Sequence, residues 1–351
     1  AKIMLGSSDP ESMRVDDLVE LADADGRGRW DELWLGYTES AGLPALREAI
    51  AGQFGGCEAA DVLVFSAPEE GIFHVAAAAL DAGDHMVGIT PAYQSSYEVP
   101  RSVGAQVTLV PLREDRGWAL DTEELAAAVT GRTRLIYVNF PHNPTGAVMS
   151  AAAQRRLIEI ADSCGAYLLS DEVYRGLELD PADRLPAAAD LYRRAVSLGG
   201  LSKAYGLPGV RLGWTVCRDT GLNTRMQAAK DFTTICASAP SEVLALIAVR
   251  AADQLIGRSL AGITRNLGLV DEFVARRPDA LRWVRPRGGS VGFPELLLDV
   301  PVARFCEQLV TEQGVLLVPG SMFEAGTNHF RLGLGRASLP AGLVALGDFV
   351  D

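Results

Sequence analysis

Ser202-Lys203-Ala204-Tyr205-Gly206-Leu207-Pro208-Gly209-Val210-Arg211-Leu212-Gly213-Trp214 decides how this chain is read. It sets one lysine on a loop rich in glycine and proline, with an arginine further along and an apolar run, Leu212–Cys217, directly after. A second apolar run, Ala195–Leu198, precedes the lysine. The loop therefore joins two strands, and its lysine stands at a strand end on a tightly held backbone. Such an amine is aimed at one point. Attack on a carbonyl needs that aim, and a pKa low enough to populate the neutral form. Arg211 carries a permanent charge that depresses the pKa of a nearby lysine and binds an anion such as phosphate.

Outward from this loop the pattern repeats. Apolar runs at Val62–Phe65, Met86–Ile89, Val107–Pro111, Leu135–Phe140 and Tyr167–Ser170 join the two already named. Most lack polar alternation, the mark of strands covered on both faces. Between them lie helix-like segments, Glu69–Leu80, Asp121–Val129 and Ala151–Cys164. This alternation predicts an α/β fold, a mostly parallel central sheet flanked by helices. Ligands of such sheets sit at the carboxyl ends of the strands, and Ala67, Asn143, Asp171 and Lys203 each follow an apolar run. After Ala237-Ser238-Ala239-Pro240 the pattern changes to a long helical region, Glu242 to about Val274, and then to short pieces at 283–286, 288–293 and 315–318. These predict a smaller α+β domain. The expected division is a large domain over 30–236 and a small one formed by 1–29 and 237–351.

The bulk composition excludes several function classes. A chain of 351 residues, 48% of them hydrophobic, can bury a sizeable core. Lys and Arg total 32 against 45 Asp and Glu, a formal net charge of −13 with no basic run. Nucleic acid and anionic membrane are not expected partners. Cys57, Cys164, Cys217, Cys236 and Cys306 are scattered singly, without C-x-x-C spacing. They read as reduced thiols in a cytoplasmic protein. No two of His74, His85, His142 and His329 stand at metal-ligand spacing, so no metal is expected. The longest apolar stretch, Ile72–Leu80, is too short to span a membrane. No signal peptide is visible, and the chain opens almost directly on Ile3-Met4-Leu5, so an N-terminal arm is expected to be absent or trimmed.

Further motifs gather around the lysine. Asn139-Phe140-Pro141-His142-Asn143-Pro144-Thr145-Gly146 follows an apolar run with a turn signal, and presents Asn143 at a strand end as a donor. Leu168-Leu169-Ser170-Asp171-Glu172-Val173-Tyr174 ends another buried run in an acid. A carboxylate there needs a partner, and a protonated ring nitrogen is a suitable one. Tyr174 can donate to a phenolic oxygen beside it. Ser66-Ala67-Pro68-Glu69 opens a helix after Val62–Phe65, and a helix N-terminus suits a phosphate. Phe330-Arg331-Leu332-Gly333 places an arginine in a strand-like run, where a substrate carboxylate can pair with it. An amine for a carbonyl, an acid for a ring nitrogen and an arginine for a phosphate together point to pyridoxal 5'-phosphate (PLP).

In this order, these motifs closely resemble the fold-type I PLP enzymes, specifically the class I and II aminotransferases. The resemblance runs from Leu5-Gly6-Ser7-Ser8-Asp9-Pro10 through Tyr37 and Gly42-Leu43-Pro44-Ala45-Leu46-Arg47 to Arg331. It implies that Lys203 forms the Schiff base and carries protons, and that Asp171 pairs with the pyridine nitrogen. Asn143 and Tyr174 contact the phenolic oxygen, Arg211 holds the phosphate with Ser202 beside it, and Tyr93 stacks on the ring. Ala67, Pro68 and Glu69 form the phosphate loop. Arg331 receives the substrate carboxylate, with Asn143, Ser7 and Ser8 on the substrate side. Tyr37 reaches the phosphate of a neighbouring subunit, in a homodimer with shared active sites. The chain departs from the family pattern at Pro68, which has no N–H, at Gly200, where the family often has Ser or Thr, and at Gly6-Ser7-Ser8.

The reaction implied is transfer of an amino group between an α-amino acid and a 2-oxo acid. Nothing in the motifs forbids elimination, racemisation or cyclisation. Gly6-Ser7-Ser8 and Val138–Asn143 are similar to capreomycidine synthase, a cyclase of specialised metabolism, and that is the alternative reading. A non-catalytic binding domain of the same fold is a third, against which the intact Lys203, Asp171 and Arg211 argue.

Overall fold

The computed structural model describes residues Ala1–Asp351. Its centre is a seven-stranded sheet of Val62–Phe65 (β1), His85–Thr90 (β2), Gln106–Pro111 (β3), Thr133–Asn139 (β4), Tyr167–Asp171 (β5), Ala195–Gly200 (β6) and Gly213–Val216 (β7). The order across the sheet is β1-β7-β6-β5-β4-β2-β3. Every pair among β2 to β6 is parallel, and β7 runs antiparallel to both its neighbours.

Apolar runs without alternation fold this way because both faces are covered. In β4, Leu135 and Tyr137 pack on one face with Ile72 and Val75 of the helix Pro68–Ala79. Ile136 and Val138 point the other way, onto Leu157 and Ile160 of the helix Ala151–Cys164. That second helix starts where Ser150 Oγ accepts the Ala153 N–H at 3.1 Å, and ends at Gly165 with φ 66°. The expectation of cover on both faces fails at β3. It is an edge strand, and Gln106 and Thr108 face solvent.

The C-terminal part is built from the helices Ala239–Arg250 and Ala252–Ala275, short strands and the helix Leu339–Val350. Leu281–Arg282 (β8) pairs with Glu295–Leu296 (β10). Val291–Gly292 (β9), Val318–Pro319 (β11) and Phe330–Gly333 (β12) form a second small sheet. The N-terminal segment joins this part: Ile3 bridges Val315, and Leu5 is buried in the same core as Leu309, Leu332 and Leu343. All five cysteines are free thiols. No helix is long and apolar enough to cross a membrane.

Candidate active site

The carboxyl ends of β4, β5 and β6 open on one cleft of about 430 Å³. The β4–β5 register sets Asn139 opposite Asp171. Asn139 Nδ2 donates to the Asp171 carbonyl at 3.0 Å, and its Oδ1 accepts the Asn143 N–H at 2.9 Å. Asn139 thereby pins the loop that presents Asn143. From β6 the chain passes through Ser202 and Lys203 and returns along β7, with Gly200 opposite Gly213. β12 brings Arg331 in from the C-terminal part.

Each charged group in the cleft is held by its neighbours. Lys203 Nζ donates to Ser8 Oγ at 2.7 Å. Burial, followed by the charge of Arg331, lowers its pKa to about 8. Asp171 is 8% exposed, accepts the Tyr137 hydroxyl at 2.8 Å and the Val173 N–H at 3.2 Å, and has no salt-bridge partner. Burial pushes its carboxyl up to about 6 against those two hydrogen bonds. The Tyr174 hydroxyl is buried without a partner, and burial pushes it up to about 12. Arg331 donates to the Gly6 carbonyl at 3.0 Å and to Asn143 Oδ1 at 3.2 Å, and its guanidinium lies over the Phe323 ring at 5.2 Å. The Asn143 amide nitrogen thus remains available as a donor. Tyr93 lies beside Glu69 at the mouth, and burial, with the Glu69 charge, pushes it up to about 12.

Of the residues singled out in the sequence, Ser8, Pro68, Glu69, Tyr93, Asn143 and Asp171 line this cleft, as do Tyr174, Ser202, Lys203, Arg211 and Arg331. Ala67 caps the helix behind Pro68, and Ser7 sits one residue outside the wall. Tyr37 is 89% exposed and does not line this cleft. One expectation needs correction. The cation that depresses the Lys203 pKa is Arg331, not Arg211. Arg211 is exposed, with φ 55°, and donates to the Pro208 carbonyl at 3.2 Å. Proximity along the chain does not set the electrostatics here, because a strand more than a hundred residues away delivers the charge that acts on the lysine. Three further residues contribute that no motif singles out. Asn139 and Asp9 lay inside stretches already quoted, and Tyr137 is an apolar-looking member of a buried run. Asp9 also pairs with Arg336 at 2.5 Å.

The departures at Pro68 and Gly200 prove to be one feature. A Cβ at Gly200 would lie 2.5 Å from Pro68 Cγ, and one at Gly213 2.5 Å from the Pro68 nitrogen. The proline ring fills the space in which a side chain at position 200 would sit. The Ser66 N–H is engaged by Glu70 Oε2 at 2.7 Å.

Comparison with known proteins agrees with this architecture. A sequence profile of the family described as aminotransferase class I and II matches residues 1–343. The capreomycidine synthase of Streptomyces vinaceus is 34% identical over 325 residues, 92% of this chain and 83% of that enzyme. The arginine–pyruvate transaminase of Pseudomonas aeruginosa is 30% identical over 326 residues, 85% of this chain and 77% of that one. The crystal structure of a PLP-dependent aminotransferase from Streptococcus suis superposes with a TM-score of 0.93 at 30% identity, covering 100% of this chain and 94% of the other.

The residues present suit PLP. A pyridinium nitrogen wants a buried anion, and Asp171 is a buried carboxylate without a cation. A ring oxygen wants donors, and the unpartnered Tyr174 hydroxyl and the Asn143 amide supply them. A carbonyl wants an amine of lowered pKa, and Lys203 is the lysine of the cleft. Profile, superposition and cleft chemistry agree, and the chain belongs to the class I and II aminotransferase family, PLP-dependent enzymes of fold type I.

Proposed function

We propose that this protein is an aminotransferase, moving an amino group between an α-amino acid and a 2-oxo acid. The observation that carries the reading is the convergence of Lys203, Asp171 and Arg331 on one cleft, with the lysine pKa lowered to about 8. When bound, PLP supplies an electron sink that loosens the bonds to the substrate's Cα. The chain's own residues do the rest. Asp171 would present a negative carboxylate to the ring nitrogen and keep it protonated. The Arg331 fork takes the α-carboxylate and so fixes which bond to Cα faces the reacting system. Lys203 Nζ would be the proton carrier, taking the proton from Cα and delivering it to the carbon that bore the cofactor's carbonyl, with Ser8 Oγ as its resting partner. The Tyr174 hydroxyl and Asn143 Nδ2 would donate to the ring oxygen.

The protein is proposed to act as a homodimer. Tyr37 at 89% and Phe232 at 91% exposure are large apolar groups on segments that touch, since Thr38 and Ser40 donate to the Ala237 and Ile235 carbonyls. Covering such a patch with a second copy removes it from water, and would deliver Tyr37 to the partner's phosphate. The same reading divides the chain into a PLP-binding domain, 30–236, and a small domain, 1–29 with 237–351. The free thiols suit a reducing compartment.

Cyclisation is the second reading, favoured by the likeness to capreomycidine synthase. One experiment separates the two. The holoenzyme is offered the twenty amino acids and guanidino-bearing non-standard ones singly, with a 2-oxo acid acceptor, and products are identified by mass. Release of the donor's oxo acid with amination of the acceptor supports transamination. A ring-closed product without oxo acid overturns it in favour of the cyclase, and no turnover of any amino acid overturns both.

A further inference from the structure

Away from the cleft, three ligand-type side chains meet across a seam that no sequence spacing reveals. Glu114 comes from the turn after β3 of the large sheet, Glu295 from β10, and His329 from the residue before β12. One oxygen or nitrogen of each lies within 4.8 Å of the others. The His329 side chain is 2% exposed and its Nε2 has no hydrogen-bond partner. Glu114 Oε1, 3.5 Å away, is buried and equally unpartnered. The imidazole cannot turn to water. It stacks on Phe293 at 5.0 Å, meets the Trp118 ring edge-on at 5.4 Å, and engages Thr327 Oγ1 through Nδ1 at 2.8 Å.

Buried polar atoms without partners are costly, so each asks for an explanation. A separation of 3.5 Å is long for a hydrogen bond. It matches two ligands of one tetrahedral ion, about 3.4 Å apart for metal bonds of about 2.1 Å. A hydrogen-bonded Nδ1 with Nε2 facing carboxylates is also how metal-ligating histidines are oriented. Arg282 bridges the outer oxygens of the same acids, Glu114 Oε2 at 3.2 Å and Glu295 Oε2 at 2.5 Å. Its side chain is 62% exposed and carries one positive charge against two negative ones. The cluster is left with the unpartnered Glu114 Oε1 and His329 Nε2, a Glu295 carboxylate within reach of both, and a net negative charge.

We propose that Glu114, Glu295 and His329 bind a divalent ion of the zinc class, with water completing its coordination. One nitrogen and two oxygen donors suit zinc and its first-row neighbours better than calcium or magnesium. The ion ties the turn after β3 to the strand that carries Arg331, two residues beyond His329. The same seam touches the substrate arginine by packing. Phe293 meets Phe323 edge-on at 6.0 Å, and Arg331 lies over Phe323. A filled site braces β12.

The test uses the chelator-treated holoenzyme, with Zn²⁺ followed by calorimetric titration, thermal unfolding and amide hydrogen exchange. Wild type should bind one Zn²⁺ per chain at this site, unfold at higher temperature and protect the Phe330–Gly333 amides. Glu295→Gln and His329→Gln should each weaken binding by at least about tenfold, the cost that even an outer-shell partner of a ligand carries. Arg282→Ala keeps all three ligands and removes the competing cation, so it should bind Zn²⁺ more tightly than wild type. It keeps the test decisive if His329→Gln folds poorly. Equal Zn²⁺ binding by wild type, Glu295→Gln and Arg282→Ala would place the metal elsewhere, at the free thiols, and overturn the proposal. So would the absence of binding by both wild type and Arg282→Ala.

Discussion

The floor of the cleft and the rim that we propose faces the phosphate are built on opposite plans. At the floor, Asp171 is held by Tyr137, the Val173 N–H and the β4–β5 register, and Asn139 locks Asn143 to the same strand ends. Asp171 and Asn143 are both buried, and each is held by at least two others. At the rim, Pro68 offers no N–H, the Ser66 N–H is engaged by Glu70, position 200 has no side chain, and Arg211 is exposed. The chain alone over-determines where a ring would lie and where protons would move. It leaves the anion end to a few exposed groups and, on our proposal, to a second subunit. Floor substitutions should therefore break chemistry while the cofactor stays, apart from the lysine that captures it, and rim substitutions should loosen the cofactor while chemistry survives.

The largest effect belongs to Lys203. Lys203→Ala should remove the cofactor's lysine-linked visible absorption and lower turnover by roughly 10⁴-fold or more, since on our proposal capture and proton transfer both use this amine. The amine itself can be titrated without cofactor. A lysine with pKa about 8 loses its proton as pH rises through 8, where an ordinary lysine waits until about 10.4. Labelling of the apoprotein by an amine-directed reagent should include one site whose rate climbs through pH 8 and levels above it, and Lys203→Ala should delete that site. A midpoint near pH 10 would show that burial and Arg331 leave the amine unperturbed.

Asp171→Asn comes next. The amide keeps the size and hydrogen-bonding reach of the acid but cannot hold a ring nitrogen protonated. Cofactor should stay bound while kcat drops on the order of 10²-fold or more, the worth of a charge-assisted bond at a reacting centre. A variant that instead loses PLP with kcat intact would erase the contrast between floor and rim.

Arg331 stands between the two. It is half-buried and, on our proposal, faces the substrate. Arg331→Ala should raise KM for α-amino acids about tenfold to hundredfold, from the loss of a charged hydrogen-bonding pair, while PLP affinity holds. Arg331→Lys should rescue only part, because an ammonium cannot reproduce the fork. Arg336 is no substitute, since Asp9 already occupies it. Unchanged KM in Arg331→Ala would move the carboxylate elsewhere in the cleft.

The contrast between floor and rim also marks what the sequence discloses. Strand cores and strand-end residues were legible, because a run such as Leu135–Val138 can be buried on both faces only inside a covered sheet, and Asn143, Asp171 and Lys203 follow such runs. What escaped depends on meetings across the chain. Tyr137 supports Asp171 from the next strand, Arg331 replaces Arg211 as the neighbour of Lys203, and Pro68 fills the place of a side chain at 200. Local pattern carries period and polarity but not which distant side chain occupies which volume. The edge position of β3 was hidden for the same reason, since edges are a property of the whole sheet.

At the rim, Tyr37→Phe should raise the PLP dissociation constant about tenfold, the low end for one hydrogen bond to a charged group, with kcat at saturating PLP and the dimer unchanged. Sedimentation and a PLP titration check both halves. A fully active monomer, or unchanged PLP affinity in Tyr37→Phe, would return the whole anion site to the single chain.

The smallest effect tests whether the rim's thinness is designed into its packing. Gly200→Ser puts a Cβ against the Pro68 ring. The proline ring, closed on its own backbone, has to give, and the Leu212 carbonyl lies 3.3 Å away, so the cost should be that of an overpacked site, about 1–3 kcal/mol, read as a lower unfolding temperature of the apoprotein. Pro68→Ala alone clears the space and restores one N–H at the helix start. Combined, Pro68→Ala and Gly200→Ser should be less destabilising than the sum of the single variants, because each removes the other's conflict, and residues in contact couple by about 0.5–3 kcal/mol. The double variant also gains an N–H and a hydroxyl beside the anion end, so its PLP dissociation constant should fall below that of wild type and its dependence on Tyr37 should shrink. Strict additivity in the unfolding measurements would mean that Pro68 and Gly200 are independent departures. Coupling without tighter PLP would mean that the rim was never short of donors, and that the thin grip is no reason for the second subunit.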